Sequence, residues 1–489
     1  EGSWFACILT SGVKSPLCGA KALQTGQSRA MAQPRPPHPL PVLLGEKYGG
    51  LVDVMCSMEV NDEDILRAVS AHKALGCCAE VLRKSCKEGA PSYFHMSSPI
   101  QEIEEFWSHS WRAEPWKKIA TLLVLKRGPA AAVIGTVGAI VAMSLFGAGM
   151  LPGYRKTALV GGTHLFGPYA LFAGLLCSSL ALAFWRPRTF VFLDQICINQ
   201  TDLESKANGV LHMGAFLKKS KSMLVLWDPT FVQRLWCMFE LAAFLKSHED
   251  EKHKHRLSVR PIFLGPCTFA IAGSFCGTMF GCFCIPFDNL LYSFLIFAAV
   301  GAVASYSAAV LFRRYYRSIQ AMEDELSVFQ LERTQCLCCS LGHGPGPAFC
   351  DRQLVTECIR KWFGSTEGFE QCVRSSVSAA LSEQLGNFSF PYFWVLGSTM
   401  PLVWGQMDAI AARLRSGSTQ GALGMAILTL AWWLAVLPIQ VRSGVALANY
   451  FRERQRNLCL DVLVNVMGLI AVEAIAAACM VLEAALFRA

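Results

Sequence analysis

The sequence predicts an α-helical transmembrane region of about seven helices, combined with one smaller α/β domain built on a parallel sheet. Apolar residues make up 53% of the chain and charged residues only 16%, whereas soluble domains carry about 25% charged residues. The apolar excess is gathered in long runs, which is typical of membrane helices. Elsewhere, two short apolar runs enclose a segment with helical spacing, and this pattern is typical of a βαβ unit.

Seven apolar runs approach the ~20 residues that a helix needs to cross ~30 Å of hydrocarbon. They are 129–151, 158–184, 261–284, 290–312, 388–407, 421–439 and 458–481. The fifth run is interrupted or bordered by Pro391, Pro401 and Asp408. In the seventh, Asp461 and Glu473 are candidate functional residues, because ionisable groups are costly inside a bilayer.

The basic residues that flank these runs predict the topology, because cytosolic loops are enriched in Lys and Arg. Most of them fall on the side of 1–128, 185–260 and 313–387, and the opposite side receives only Arg155, Lys156, Arg413 and Arg415. The formal net charge of +8 is therefore interpreted as a topology signal, and no nucleic-acid partner is predicted. We expect an integral, multi-pass membrane protein whose soluble domain faces the cytosol and whose first partner is the lipid bilayer.

This topology divides the chain into successive parts. They are an N-terminal Pro-rich and partly helical region (1–100), an α/β domain in two pieces (101–128 and 185–260), an inserted transmembrane hairpin (129–184), a second transmembrane hairpin (261–312), a cytosolic Cys-containing helical region (313–387) and C-terminal transmembrane helices (388–489).

Within the N-terminal region, two segments carry a pattern. The Pro-rich stretch 33–41 predicts an extended linker or a docking motif. Residues 60–88 are predicted to be helical, with Asn61 and Asp62 as the cap. The apolar face of that helix is Ile65, Leu66, Val69 and Leu75.

The α/β domain rests on two apolar runs, 189–194 and 222–228, each ending in an acid. Between them, 203–219 has helical spacing, so the two strands are expected to be parallel with a right-handed crossover. A second helix is predicted through 231–246. Upstream, 103–111 is expected to add another strand to the same sheet.

Three motifs in this domain resemble known signalling domains. The run FLDQICINQTD at 192–202 resembles the hallmark of fungal heterokaryon-incompatibility (HET) domains. RLWCMFEL at 234–241, preceded by the strand at 222–226, resembles the Trp-Cys-x-x-Glu-Leu stretch of Toll/interleukin-1 receptor (TIR) domains. WSHSW at 107–111 looks like the first-strand motif of the same group. The combination is also similar to multi-spanning proteins of protists, with a looser match over 330–390.

This resemblance implies a flavodoxin-like α/β fold for the soluble domain, interrupted by a membrane hairpin between its first two strands. It also implies self-association or TIR-like protein partners. In TIR domains that hydrolyse NAD, the glutamate at the position of Glu240 is catalytic, so NAD becomes a candidate substrate, while no bound cofactor is implied. A carboxylate there would stabilise the oxocarbenium-like charge that develops on the ribose. The alternative from the residues alone is a helix acid that pairs with Arg234 or a lysine.

Further candidate ligand-binding residues follow the strand ends, where open α/β sheets bind ligands. Asp194, Asn199 and Gln200 are placed to contact ribose or nicotinamide, or else they cap the loop in an Asx-type turn. Trp236 either packs in the core or forms a wall of the site. The last two candidates, Ser108 and His109, are expected in the same crevice.

The 21 cysteines show no regular disulfide framework. Cys197 and Cys237 have no suggestive histidine nearby in the sequence and are not predicted to be nucleophiles. A cluster at 336–350 has enough soft ligands for zinc, and the alternatives there are structural thiols or a redox-sensitive group. These weak metal candidates are Cys336, Cys338, Cys339, His343 and Cys350.

Three functions remain open at this point. The first is a membrane-anchored TIR/HET-like signalling protein that hydrolyses NAD at the nicotinamide–ribose bond. The second is an interaction module without catalysis on a membrane anchor. The third is a channel or transporter whose soluble domain is regulatory.

Overall fold

A computed structural model describes most of the chain. The described residues are 40–60, 63–76, 79–83, 92–157, 163–249, 257–284, 290–336, 339, 350–385 and 391–486. Residues 33–39 of the Pro-rich stretch and the predicted cap at Asn61 and Asp62 lie outside these ranges.

The described strands form one six-stranded sheet and one two-stranded hairpin. They are β1 (Arg67–Ser70), β2 (Ser98–Pro99), β3 (Glu105–His109), β4 (Tyr154–Thr157), β5 (Thr163–Phe166), β6 (Phe190–Phe192), β7 (Met223–Trp227) and β8 (Leu257–Pro261). The order in the large sheet is β2-β1-β6-β3-β7-β8, and β4 pairs with β5.

The middle of the large sheet is parallel. β3 lies between β6 and β7 and pairs parallel with both, and β8 continues the parallel series beyond β7. The prediction that the runs at 189–194 and 222–228 share a parallel sheet with the strand near 104–110 is therefore confirmed. β7 is buried along its whole length, as expected for a parallel strand covered on both faces.

The predicted helix over 60–88 is wrong. Residues 67–70 form β1, which pairs antiparallel with β6 on one side and with β2 on the other. Val69 lies opposite Val191, so an apolar residue that fits helical spacing is buried by a strand from far along the chain. Pairing with a distant partner has overridden the local pattern here.

Most of the remaining described residues are helical. The helices are α1 (Leu40–Ser57), α2 (Ala71–Ala74), α3 (Glu80–Arg83), α4 (Pro115–Gly147), α5 (Tyr169–Phe184), α6 (Asp194–Cys197), α7 (Leu203–Leu211), α8 (Met213–Lys218), α9 (Leu235–Ser247), α10 (Leu264–Cys284), α11 (Leu290–Ser327), α12 (Asp351–Phe363), α13 (Thr366–Leu385), α14 (Tyr392–Ser398), α15 (Met400–Arg415), α16 (Thr419–Ala431), α17 (Leu437–Tyr450) and α18 (Leu458–Leu486).

Helix α9 connects the sheet to the C-terminal helical region. It packs on α8 and α12, and α1 packs on the same two helices. The rings of Phe239 in α9 and Trp362 in α12 lie 5.4 Å apart. The apolar core is accordingly continuous from the sheet into α12 and α13.

Four helices in the described part of the chain are long and apolar enough to cross a membrane. They are Pro115–Gly147 (α4), Leu264–Gly281 (in α10), Thr419–Tyr450 (α16 and α17 as one continuous helix) and Leu458–Ile475 (in α18). The chain therefore has the helices of a membrane protein, but the seven predicted spans are not all found.

Two of the other predicted spans are shorter than their apolar runs. In the second, the β4–β5 hairpin occupies residues up to Phe166, which leaves α5 with 16 residues. The fifth is divided into α14 and α15 at Thr399, and its border residue Asp408 is buried. The Asp408 carboxylate accepts hydrogen bonds from the N–H groups of Ala170 and Leu171, so it caps the start of α5.

Of the two acids predicted to matter in the seventh span, Asp461 has a structural partner. The guanidinium of Arg313 lies 2.8 Å from its Oδ1 atom and also donates to the side chain of Asn465. This ion pair joins α11 to α18. Glu473 lies about three turns further along α18, on an exposed part of the helix surface.

Helix α4 runs without a break from the sheet into the apolar region. At its start, the Thr121 hydroxyl donates to the Ile262 carbonyl and accepts from the Gly265 N–H at the beginning of α10. Lys126 lies 2.5 Å from Glu105 of β3. One helix, with Pro129 inside it, therefore joins the central strand of the sheet to a candidate membrane span.

Candidate functional site

Polar side chains follow β3, β6 and β7 where these neighbouring strands end. The hydroxyl groups of Ser110, after β3, and Thr230, after β7, lie 2.6 Å apart. The Trp111 Nε1–H donates to Asp194, after β6, over 3.2 Å. The three strand ends are thus connected by side-chain hydrogen bonds at the edge where doubly wound sheets bind ligands.

Glu240 reaches this edge from α9. The buried Ser108 hydroxyl donates to Glu240 Oε2 over 2.5 Å. One turn earlier in the helix, the Cys237 thiol donates to the His109 carbonyl. Residues three apart share a helix face, so this face of α9 lies against the end of β3. The Glu240 side chain remains partly accessible to solvent.

Electrostatics at the edge favour a protonated Glu240. Burial, with a smaller contribution from the charge of Asp194, raises the pKa of its carboxyl to about 8, against the opposing effects of the Ser108 hydrogen bond and Arg234. Burial also raises the pKa of Asp194, against hydrogen bonds from the Gln195 N–H and Trp111. Two carboxyl groups with displaced pKa values at a strand edge are typical of functional sites.

His109 is buried beside these carboxyl groups. Burial, followed by the charge of Lys118, holds its pKa well below the ordinary value, so the imidazole is neutral. Its ring packs edge-on against Trp111 at 4.3 Å. Among the described residues, His109 Nε2 has no hydrogen-bond partner.

Sequence reasoning missed two contributors to this edge. Lys118 was interpreted as a topology signal, but its buried amine donates to the Ser110 carbonyl and lies 5.1 Å from the Trp111 ring. Asp228 was interpreted as the end of the run 222–228 and not as a site residue, but its carboxylate accepts a hydrogen bond from the Thr230 hydroxyl. An acid directly after a buried strand is the signal that identifies Asp228, whereas nothing in the local sequence of Lys118 separates it from its neighbour Lys117.

The side chains of Asn199 and Gln200 make hydrogen bonds within their own loop. Asn199 Oδ1 accepts from both the N–H and the hydroxyl of Thr201, as in an Asx-type turn. The Gln200 side chain donates to the Asp194 carbonyl. Gln200 therefore fixes the backbone that presents Asp194.

Trp236 lies on a different side of α9 from Glu240. Its Nε1–H donates to Asp351 of α12 over 3.3 Å, and its ring packs edge-on against Phe239. At 3.6 residues per turn, positions 236, 239, 240 and 243 fall on one side of a helix. The structure divides that side, because Trp236 and Phe239 contact α12 whereas Glu240 contacts β3.

The two buried cysteines near the edge are poor nucleophiles. Burial raises the pKa of Cys197 to about 12 and that of Cys237 well above its ordinary value. A thiol attacks as its thiolate, so neither is reactive near neutral pH.

Three of the five weak metal candidates converge. The sulfur atoms of Cys336, Cys339 and Cys350 all lie within 4.8 Å of one another. The other two, Cys338 and His343, lie outside the described residues.

A pH test of stability follows from the raised pKa of Glu240. Above pH 4.5, its ordinary pKa, the unfolded chain ionises this carboxyl, whereas the folded chain keeps the proton until about pH 8. Stability therefore falls with rising pH in that window. We expect Glu240→Gln to be about 1–2 kcal/mol more stable than the wild type at pH 9 and equal to it below pH 4.5.

Apparent unfolding temperatures of both proteins in detergent at pH 4, 7 and 9 measure this difference. A difference in unfolding temperature between the two proteins that stays the same at all three pH values would contradict the raised pKa of Glu240.

Comparisons with protein-family models, with curated proteins and with solved structures give no match to this chain.

Proposed function

We propose that this chain is a membrane-anchored TIR/HET-like signalling protein whose sheet edge hydrolyses NAD at the nicotinamide–ribose bond. The observation that carries the proposal is the hydrogen bond from Ser108 to a partly accessible Glu240 beside Asp194. A carboxyl group kept partly out of water, with its orientation fixed, is the group that this chemistry requires.

The sheet topology supports the proposal. Numbered along the chain, the parallel strands β6-β3-β7-β8 have the order 2-1-3-4, which is the order of flavodoxin-like sheets. In such sheets, ligands bind at the carboxyl end of the first strand. The connections to the strands on its two sides run in opposite directions there, which leaves a crevice. Here that position is the end of β3, which carries Ser108 and His109.

The proposed reaction requires few groups. The bond between the ribose C1′ and the nicotinamide nitrogen breaks, and nicotinamide leaves as a neutral molecule with the electron pair of that bond. Water then attacks C1′ and releases a proton, which gives ADP-ribose. The Glu240 carboxylate stabilises the positive charge that builds on the ribose, and Ser108 holds that carboxylate in place. Because the leaving group needs no proton, the ionised form of Glu240 is the active form.

Nicotinamide release from NAD by the full-length protein in detergent tests the proposal. Turnover that depends on protein concentration supports it. If NAD is neither bound nor cleaved, while the protein self-associates or captures a TIR-like partner, the interaction-module function is the better description.

The cytosolic orientation of the soluble domain is part of the proposal. The flanking Lys and Arg bias motivates it. In sealed vesicles with the cytosolic side outward, we expect protease to cleave within 201–206, an exposed loop and helix start. Cleavage there only after the vesicles are permeabilised would reverse the orientation.

A further inference from the structure

We infer that Cys336, Cys339 and Cys350 form a structural Zn²⁺ site. All three sulfur atoms lie within 4.8 Å of one another, and those of Cys339 and Cys350 are 3.4 Å apart. Two sulfur atoms held at ~2.3 Å by one tetrahedral zinc are about 3.8 Å apart. The 3.4 Å spacing and the 4.8 Å limit are both within about 1 Å of the value that zinc requires, whereas a disulfide needs ~2.05 Å.

The surroundings of the trio fit a closed structural site. Cys336 and Cys350 are buried, and Cys339 is half-buried. Cys336 and Cys339 are separated by two residues, the spacing that supplies one half of many structural zinc sites. The third ligand comes from the residue that precedes α12. Zinc takes four ligands, so water or one further side chain completes the set.

The backbone around the trio is held in place independently of any metal. The Arg352 guanidinium donates to the carbonyl groups of Glu332 and Thr334, which ties the segment before Cys336 to the start of α12. Cys336 and Cys350 therefore need little rearrangement to share an ion. On binding, each thiol gives its proton to solvent and coordinates as a thiolate.

A metal at this site would also hold α9 in position. Asp351 directly follows Cys350 and accepts the hydrogen bond from Trp236 of α9. A metal that fixes the start of α12 therefore fixes the helix that carries Glu240. The inference itself does not depend on NAD hydrolysis, because its measurement is metal content.

The test is metal analysis of the full-length protein, purified in detergent under reducing conditions without chelator. We expect about one zinc per chain and at least a tenfold loss of zinc in Cys336→Ser and Cys350→Ser. Cys372→Ser is the matched control, because this half-buried cysteine of α13 contacts Ser376 and not the trio. It should retain the full zinc content.

A spectroscopic measurement decides the result if the serine variants do not fold. Replacement of zinc by Co²⁺ in the wild type should give intense thiolate-to-cobalt charge-transfer absorption. Cys339→His, which keeps a ligand at the half-buried position, should bind cobalt with weaker charge-transfer bands. A wild-type protein with neither zinc nor cobalt absorption overturns the inference, as does a Cys339–Cys350 disulfide in the reduced preparation.

Discussion

Glu240→Gln should lower NAD cleavage by at least about 100-fold, which is the usual effect of losing one electrostatic contact to a transition state. The amide keeps the shape and accepts the Ser108 hydrogen bond, but it carries no charge to stabilise the ribose cation. Nicotinamide release under saturating NAD measures the loss. Glu249→Gln is the matched control, because this exposed acid lies just beyond α9 and pairs with Lys246. It should cleave NAD at the wild-type rate.

The pH profile separates a catalytic carboxylate from a structural one. Because only ionised Glu240 is active, kcat/KM of the wild type should rise with pH and level off above about 8, the raised pKa of this carboxyl. The positive nicotinamide ring of bound NAD favours the ionised form, so kcat should level off at a lower pH than kcat/KM. Unchanged turnover in the Gln variant would remove Glu240 from the mechanism.

Gly265→Ala should destabilise the protein by about 3 kcal/mol, the upper part of the range for overpacking. A Cβ atom at Gly265 would lie 2.3 Å from the backbone of Ala120 and Thr121 in α4. Backbone atoms cannot rotate away as a side chain can, so the two helices must separate. Separation also breaks the hydrogen bond from the Gly265 N–H to the Thr121 hydroxyl. The apparent unfolding temperature in detergent should fall by roughly 5 °C.

Gly273→Ala is the control for that change. It lies two turns further along α10, and a Cβ atom there would meet nothing within 4 Å. Alanine is a better helix former than glycine by about 1 kcal/mol, so this variant should be as stable as the wild type or slightly more so. Equal unfolding temperatures for the two variants would show that α4 and α10 are not in close contact at Gly265.

The sequence was sufficient to predict the parallel centre of the sheet. The runs that became β6 and β7 are apolar and end in an acid, and they are too short for a typical helix of at least ~10 residues, so their length indicates buried strands. β8 was not predicted, because Ser258 and Arg260 interrupt its apolar residues and a membrane-like run follows at once. β1 was taken for part of a helix, since a four-residue strand carries too little pattern of its own.

The candidate site was predicted only in part for a related reason. The motifs named Ser108 and Glu240 separately, but the hydrogen bond between them joins residues 132 positions apart. Trp236 belongs to the same motif but faces α12, because side chains four residues apart on α9 reach different neighbours where α12 and the end of β3 pack against the helix. Tertiary packing buries Lys118. The sequence shows only a charged residue beside an apolar run, and this does not reveal the burial.

Helix α4 has the geometry of a lever, with Pro129 as the position inside it where the backbone hydrogen-bond ladder is interrupted. Its pivot is the close crossing at Thr121 and Gly265. At ~1.5 Å per residue, the arm from Thr121 to Gly147 is about 39 Å long, and the arm back to Pro115 is about 9 Å long. If α4 moved as a rigid rod, a sideways displacement of about 4 Å at the far end would shift the near end by about 1 Å, and bending at Pro129 would reduce that shift. That near end begins at Pro115, seven residues after Ser108, and carries Lys118, which donates to the Ser110 carbonyl, so a tilt of α4 has a mechanical route to the strand edge.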